Sequence, residues 1–191
     1  VACVFHDCPM LLHQGIGLEA FNLLPTRRAV HALYECTNSL TAAVGIAKGR
    51  PYTNHAGLFG KADASLFSLS EDAFDEIMAA HPRVGSRPGS AYSHAEQCAL
   101  FDHRPAMMRL LDDTARRYAE NFGFEFVMHV CPGTELTRRT NTAPELIAAI
   151  TDRMHNDPET ERKIVRDEIA KLNRSRLERM LGPEGGYDNW L

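Results

Sequence analysis

The chain has 191 residues, 44% of them apolar, and a formal net charge of −4 from 21 basic and 25 acidic side chains. That length can bury a substantial core as one domain. The mild acidic balance implies neither a nucleic-acid footprint nor binding to an anionic membrane surface, and no apolar run approaches the roughly 18 residues of a membrane-spanning helix.

The opening stretch, VACVFHDCPMLLHQGIG, lacks the basic start of a secretory signal. Residues 1–16 are expected to form a tail. Five cysteines (Cys3, Cys8, Cys36, Cys98 and Cys131) include no C-x-x-C pair. An odd count without that spacing speaks against a disulfide scaffold and for a reducing cytoplasm. Cys3, His6, Cys8 and His13 match no familiar zinc spacing, so no metal is expected.

The elements read mainly as helices. A short helix over residues 17–24 ends at Pro25, which fits the first turn of a helix over 26–36. Its apolar positions are Ala29, Val30, Leu33 and Cys36. Ser39 caps a helix running to Lys48, closed by Gly49 and stopped by Arg50-Pro51. Another covers residues 54–67. Ser68-x-x-Glu71 reads as a capping box for a helix over 69–80, with Phe74, Ile77 and Met78 as its apolar stripe.

A loop rich in Gly, Pro and Ser follows, HPRVGSRPGSAYSHAEQ, from His81 to Gln97. Such a backbone turns and does not continue a helix. A helix over residues 93–102 puts Ser93, Glu96 and Gln97 on one face. If the loop folds back, His81 and Glu96 meet across a small space, where an imidazole and a carboxyl can move protons near neutral pH. Two plainer readings compete. Ser93-x-x-Glu96 is also a capping box, and His81 at a helix end is also a favourably placed cation. Arg83 and Arg87 flank the loop and could meet a carboxylate, with solvated loop charges as the plainer reading.

Pro105 opens a helix to residue 121, striped by Met108, Leu111, Ala115, Tyr118 and Phe122 and capped by Gly123. FEFVMHVC, from Phe124 to Cys131, is the one extended segment and is expected to be buried. Within it His129 reads equally as a pocket-lining group or a satisfied core histidine. A polar loop carries Arg138 and Arg139. Thr142, Pro144 and Glu145 start a helix to about residue 155, and Asp157 caps a last one over 158–181. Val165, Ile169, Leu172, Leu177, Met180 and Leu181 form its stripe, with charges over the rest. The fold class is therefore all-α, a single-domain bundle of about eight or nine helices with one short extended segment. Residues 17–181 form the domain and 182–191 a C-terminal tail.

LYECTNS with KGRPY, AAHPRVG, SHAEQ, RRYAENFGFEFVMHV and RMHNDPETERKIVRDEIAKLNRSRLERML together resemble the 2-oxo-4-hydroxy-4-carboxy-5-ureidoimidazoline (OHCU) decarboxylases of urate breakdown. They stand in that family's order over about residues 20–181. The resemblance implies a helical, cofactor-free enzyme acting on a small molecule, commonly as a homodimer. It implies His81 and Glu96 as the catalytic pair and Pro82, Ser93 and Gln97 as substrate contacts. It also implies that Phe126, Val127, Met128, His129 and Val130 hold ring and ureido atoms through their backbone. The product would be (S)-allantoin.

Thr41, His129 and Cys131 differ from residues common in that family. They leave open a related enzyme using the same His/Glu pair on another small molecule, in a specialised biosynthetic pathway. A non-catalytic helical binding module is a third reading, against which the trio His81, Glu96 and Gln97 argues.

Overall fold

Side chains that satisfy free backbone groups open several of these helices, and proline or glycine bounds others. The computed structural model describes residues 15–84, 104–129 and 143–184. Helix α1 (Leu18–Leu23) stops before Pro25, which is the N-cap of α2 (Thr26–Thr37). The helix starts at residue 26 as expected; Pro25, with an extended ψ of 139°, stands just before its first turn and not inside it. Ser39 accepts the Ala42 N–H at 3.2 Å and opens α3 (Leu40–Lys48). Asn54 accepts the Gly57 N–H at 2.8 Å and opens α4 (His55–Phe67).

The expected Ser68 cap is corrected at α5 (Glu71–Ala80). Ser68 is the C-cap of α4, its hydroxyl donating to the Ser65 carbonyl, and stands two residues too early for a helix that begins at Glu71. Ser70 accepts the Ala73 N–H at 3.3 Å instead. Pro105 is the first residue of α6 (Pro105–Phe122), and Gly123 closes it at φ 80°, a left-handed conformation that glycine adopts without strain. Next comes α7 (Ala143–Arg153). Asp157 opens α8 (Pro158–Leu181) by accepting the Glu159 and Thr160 N–H groups at 3.1 and 3.0 Å. The helix expected over 93–102, the loop over 132–142 and most of both tails lie outside the described residues.

Among the described residues there are eight helices and no strand, so the fold is all-α. The chain forms two compact units. One holds the described residues up to Ala73 and those from Asn173 onward. Within it α2 packs on α3 and α3 on α4. Phe21, Leu33, Cys36, Ile46, Leu58, Leu66 and Leu177 are buried there; burying one large apolar side chain stabilises by about 1.5–3 kcal/mol. Gly49 closes α3 as expected, its N–H donating to the Ile46 carbonyl at 3.0 Å, at a φ of −75° that any residue adopts. Close approach explains why a glycine stands there, because a Cβ would collide with the Tyr52 hydroxyl. That hydroxyl donates to the Ile46 carbonyl at 2.6 Å.

The other unit is Phe74–Leu172. Here α6 packs on α7. Val84, Leu111, Ala115, Tyr118, Phe126, Ala143, Leu146 and Ile150 make its apolar cluster. The FEFVMHVC segment is non-helical over residues 125–129 and forms no strand, while Phe126 and Val127 are buried. Helix α8 contributes to each unit and buries the whole expected stripe. One expectation for it fails: Glu161 and Arg176 are buried as well, so charges do not simply cover its solvated face.

Candidate active site

His81 is the first residue past α5. Its backbone N–H donates to the Met78 carbonyl at 3.1 Å, and the residue is half-buried, as is Pro82. Val84 then enters the apolar cluster that contains Phe126. Between them Arg83 turns to the Glu125 carboxylate, with Nη2 at 2.9 Å and Nε at 3.1 and 3.2 Å. Of the two readings of Arg83, the plainer one as a solvated charge is corrected: a carboxylate of the protein itself faces it. The hydrogen bond to Glu125 raises the Arg83 pKa further, against a small opposing effect of burial. The stretch after His81 is thus tied to the stretch before Phe126 by one ion pair and one apolar cluster. Ser93, Glu96, Gln97, Val130, Arg87, His94, Arg138 and Arg139 lie outside the described residues.

A buried run without helix or strand must find partners for its backbone groups elsewhere. Two charged side chains supply them. Arg153 Nη1 donates to the Val127 carbonyl at 2.7 Å. Glu168 Oε2 accepts the half-buried His129's N–H at 2.6 Å, while its other oxygen accepts from Lys171 Nζ at 2.6 Å.

Arg153 is itself held. Its Nε and Nη2 reach Glu161 Oε1 at 2.7 and 2.5 Å, and its guanidinium carbon lies 4.5 Å from the Phe126 ring centroid. Glu161 has no exposed surface. It also accepts from the Tyr118 hydroxyl and, at 2.7 Å, from Asn156 Nδ2. A carboxylate taken wholly out of water is tolerable only with such a set of donors. Burial first, then the hydrogen bond to Glu161, push the Tyr118 hydroxyl well above the usual phenol range.

Sequence reasoning missed Arg153, Glu161, Tyr118's hydroxyl and Glu168 as parts of this site. A signal was there. Glu161 stands four residues before Val165, which stands four before Ile169. A charge in register with an apolar stripe marks a buried, paired group. A groove of about 610 Å³ opens beside Glu125, lined by Asp75, Met78, Phe122, Phe124 and Arg162 among others. None of the expected site residues among the described ones lines it. Among the described residues no cluster of His, Cys, Asp and Glu could hold a metal, and no helix is long and apolar enough to cross a membrane.

The profile of the OHCU decarboxylase family matches residues 22–178. A 2-oxo-4-hydroxy-4-carboxy-5-ureidoimidazoline decarboxylase of Amia calva is 29% identical over 149 residues, which is 71% of this chain and 77% of that protein. A uric acid degradation bifunctional protein of Bacillus sp. strain TB-90 is 26% identical over 170 residues, 84% of this chain but 31% of that longer protein. The crystal structure of an (S)-allantoin synthase superposes with a TM-score of 0.65 at 18% identity, over 87% of this chain and 54% of that one. The structure of an OHCU decarboxylase in the presence of (S)-allantoin gives 0.64 at 21% identity, over 78% and 95%. At those identities the two superpositions speak for the fold. The profile spans most of the chain, which therefore belongs to the OHCU decarboxylase family of carboxy-lyases.

Proposed function

We propose that this chain converts OHCU to (S)-allantoin in urate degradation, with His81 and Glu96 moving the protons. The family match over residues 22–178 carries the reading. The tie between Arg83 and Glu125 supports the site, because it joins the His81 stretch to the buried run that would hold the ring.

In OHCU the ring carbon that loses its carboxylate also bears a hydroxyl, and its neighbour is a C=N carbon. When the bond to the carboxylate breaks, the electron pair flows toward that C=N group. The substrate is its own electron sink, so the reaction asks for no cofactor. His81 takes or relays the hydroxyl proton, and Glu96 orients and polarises the imidazole. The hydroxyl-bearing carbon becomes a carbonyl as its neighbour is protonated from one face, which gives one enantiomer. Pro82, Ser93, Gln97 and the backbone of residues 126–130 hold the ring. One general acid–base group contributes about 10²–10⁴-fold; positioning and loss of water around the departing carboxylate supply the rest. The acting domain is residues 17–181, a homodimer in the cytoplasm.

The test is an assay with freshly generated OHCU, following decay and the circular dichroism of the product. Wild type is expected to accelerate decay and yield enantiopure allantoin. His81→Ala and Glu96→Gln are expected to lose at least about 10²-fold with their helical signal intact. Decay at the uncatalysed rate with wild type would sink the reading and favour a related enzyme with another substrate. Unfolding of both variants would return the pair to a structural role.

A further inference from the structure

A buried Arg–Glu pair is poor evidence of stability, since a packed apolar group of the same volume often stabilises a core as well or better. What an apolar group cannot do is aim a backbone carbonyl. Arg153 divides its guanidinium: Nε donates to Glu161 Oε1 and Nη2 lies in charge contact with the same oxygen, Nη1 donates to the Val127 carbonyl, and its face lies on the Phe126 ring. Glu161 is fixed in turn by Tyr118 and Asn156, from α6 and the turn after α7. A planar guanidinium held at Nε by Glu161 fixes the direction of its Nη1 bond to the Val127 carbonyl as well as the distance, which a lysine ammonium does not.

We propose that Arg153, locked by Glu161, is a positioning residue for substrate binding, orienting the Val127–Met128 peptide so that the Met128 N–H is offered to the bound ring. In a trans peptide the carbonyl and the following N–H point in opposite directions. This peptide is trans. With the Val127 carbonyl drawn to Arg153, the Met128 N–H faces the other way. At the far end Glu168 holds the His129 N–H, so the run is anchored on both sides of Met128. The proposal rests on the preceding reading that this backbone binds the ring.

Two measurements test it. Arg153→Lys keeps the charge and loses the planar guanidinium that bridges Glu161 and the Val127 carbonyl, and Arg153→Met is the apolar replacement. In folded protein both are expected to raise KM for OHCU about 10- to 100-fold, the scale of a misplacement near 1 Å. The pH profile of kcat, set by the acid–base pair, is expected to stay where it is. A purely structural Arg153 would lower the melting temperature and leave KM per folded molecule unchanged, which overturns the proposal. The second measurement needs no variant: adding (S)-allantoin to wild type is expected to slow hydrogen exchange at the Met128 amide. An amide that exchanges at the same rate with saturating allantoin also overturns it. If wild type turns over OHCU and either result is negative, only the role of Arg153 falls. If wild type does not turn over OHCU, the functional reading falls and takes this substrate role with it.

Discussion

Arg83 grips the Glu125 carboxylate with two guanidinium nitrogens, Nη2 at 2.9 Å and Nε at 3.1 Å. The two side chains keep 33% and 23% of their surface, so the pair contributes only about 0–1 kcal/mol to stability. Its position matters more, because it joins the residue two after His81 to the residue before Phe126. Arg83→Ala and Glu125→Gln are each expected to lower kcat/KM for OHCU about tenfold. Their melting temperatures are expected within about 4 °C of wild type. Steady-state kinetics beside thermal denaturation checks both; unchanged kinetics would reduce the pair to a surface contact.

Tyr118→Phe removes one donor from a carboxylate that water cannot reach. The expected loss is about 1–3 kcal/mol in urea denaturation. The pH dependence has a definite sign. The Tyr118 pKa is raised in the folded state, so its contribution is complete below the unfolded value near 10 and declines as pH rises past it, where only the unfolded chain gives up the proton. Wild type should lose stability above about pH 10 more steeply than Tyr118→Phe.

Arg50 acts as a clamp in the other unit. Its Nη1 donates to the Leu24 and Phe21 carbonyls at 2.6 and 3.0 Å, its Nε to the Ala47 carbonyl at 3.1 Å, and its guanidinium carbon lies 5.6 Å from the Phe21 ring centroid. Arg50→Ala leaves the end of α1 without these donors. A loss of about 1.5–3 kcal/mol is expected. Arg50→Lys should recover less than half, since an ammonium cannot span the same carbonyls. Chemical denaturation of the two variants separates the outcomes.

Asp157 caps α8, and its carboxyl lies below the usual range, first because of a side-chain hydrogen bond from Thr160 and then because of that residue's N–H. A depressed folded pKa means stability present above the unfolded value near 3.9 and lost as pH falls through the folded one. Asp157→Asn keeps an acceptor and is expected to flatten this acid dependence while changing stability little at pH 7. Asp157→Ala is expected to lower the melting temperature by about 2–4 °C at pH 7. Melting curves from pH 7 to pH 2 check both.

Much of the helical framework was legible because its causes are local. Ser39, Asn54, Asp157 and Gly123 each act on backbone groups within a few residues. The stripe of α8 follows from helical period alone. The misread caps show where locality ends. Ser68 and Ser70 both suit an N-cap, and the end of α4 decided between them. Gly49 ends α3 as read, but that it also makes room for Tyr52 needed the distant side chain in place. For the site, the sequence and its resemblance named His81, Pro82, Phe126, Val127, Met128 and His129. They did not show that Arg83 would turn to Glu125.

Composition, periodicity and caps by themselves determined that this chain is helical, where most helices lie, and that one non-helical run is apolar enough to be buried. Only the tertiary structure decided which charges go inside. The register of Glu161 with the apolar stripe hints at burial, but its partner Arg153 looks like a surface residue until Tyr118, Asn156, Phe126 and the Val127 carbonyl close around the pair. Helical period is written in neighbouring residues, whereas a buried charge is stable only when donors from distant segments arrive together.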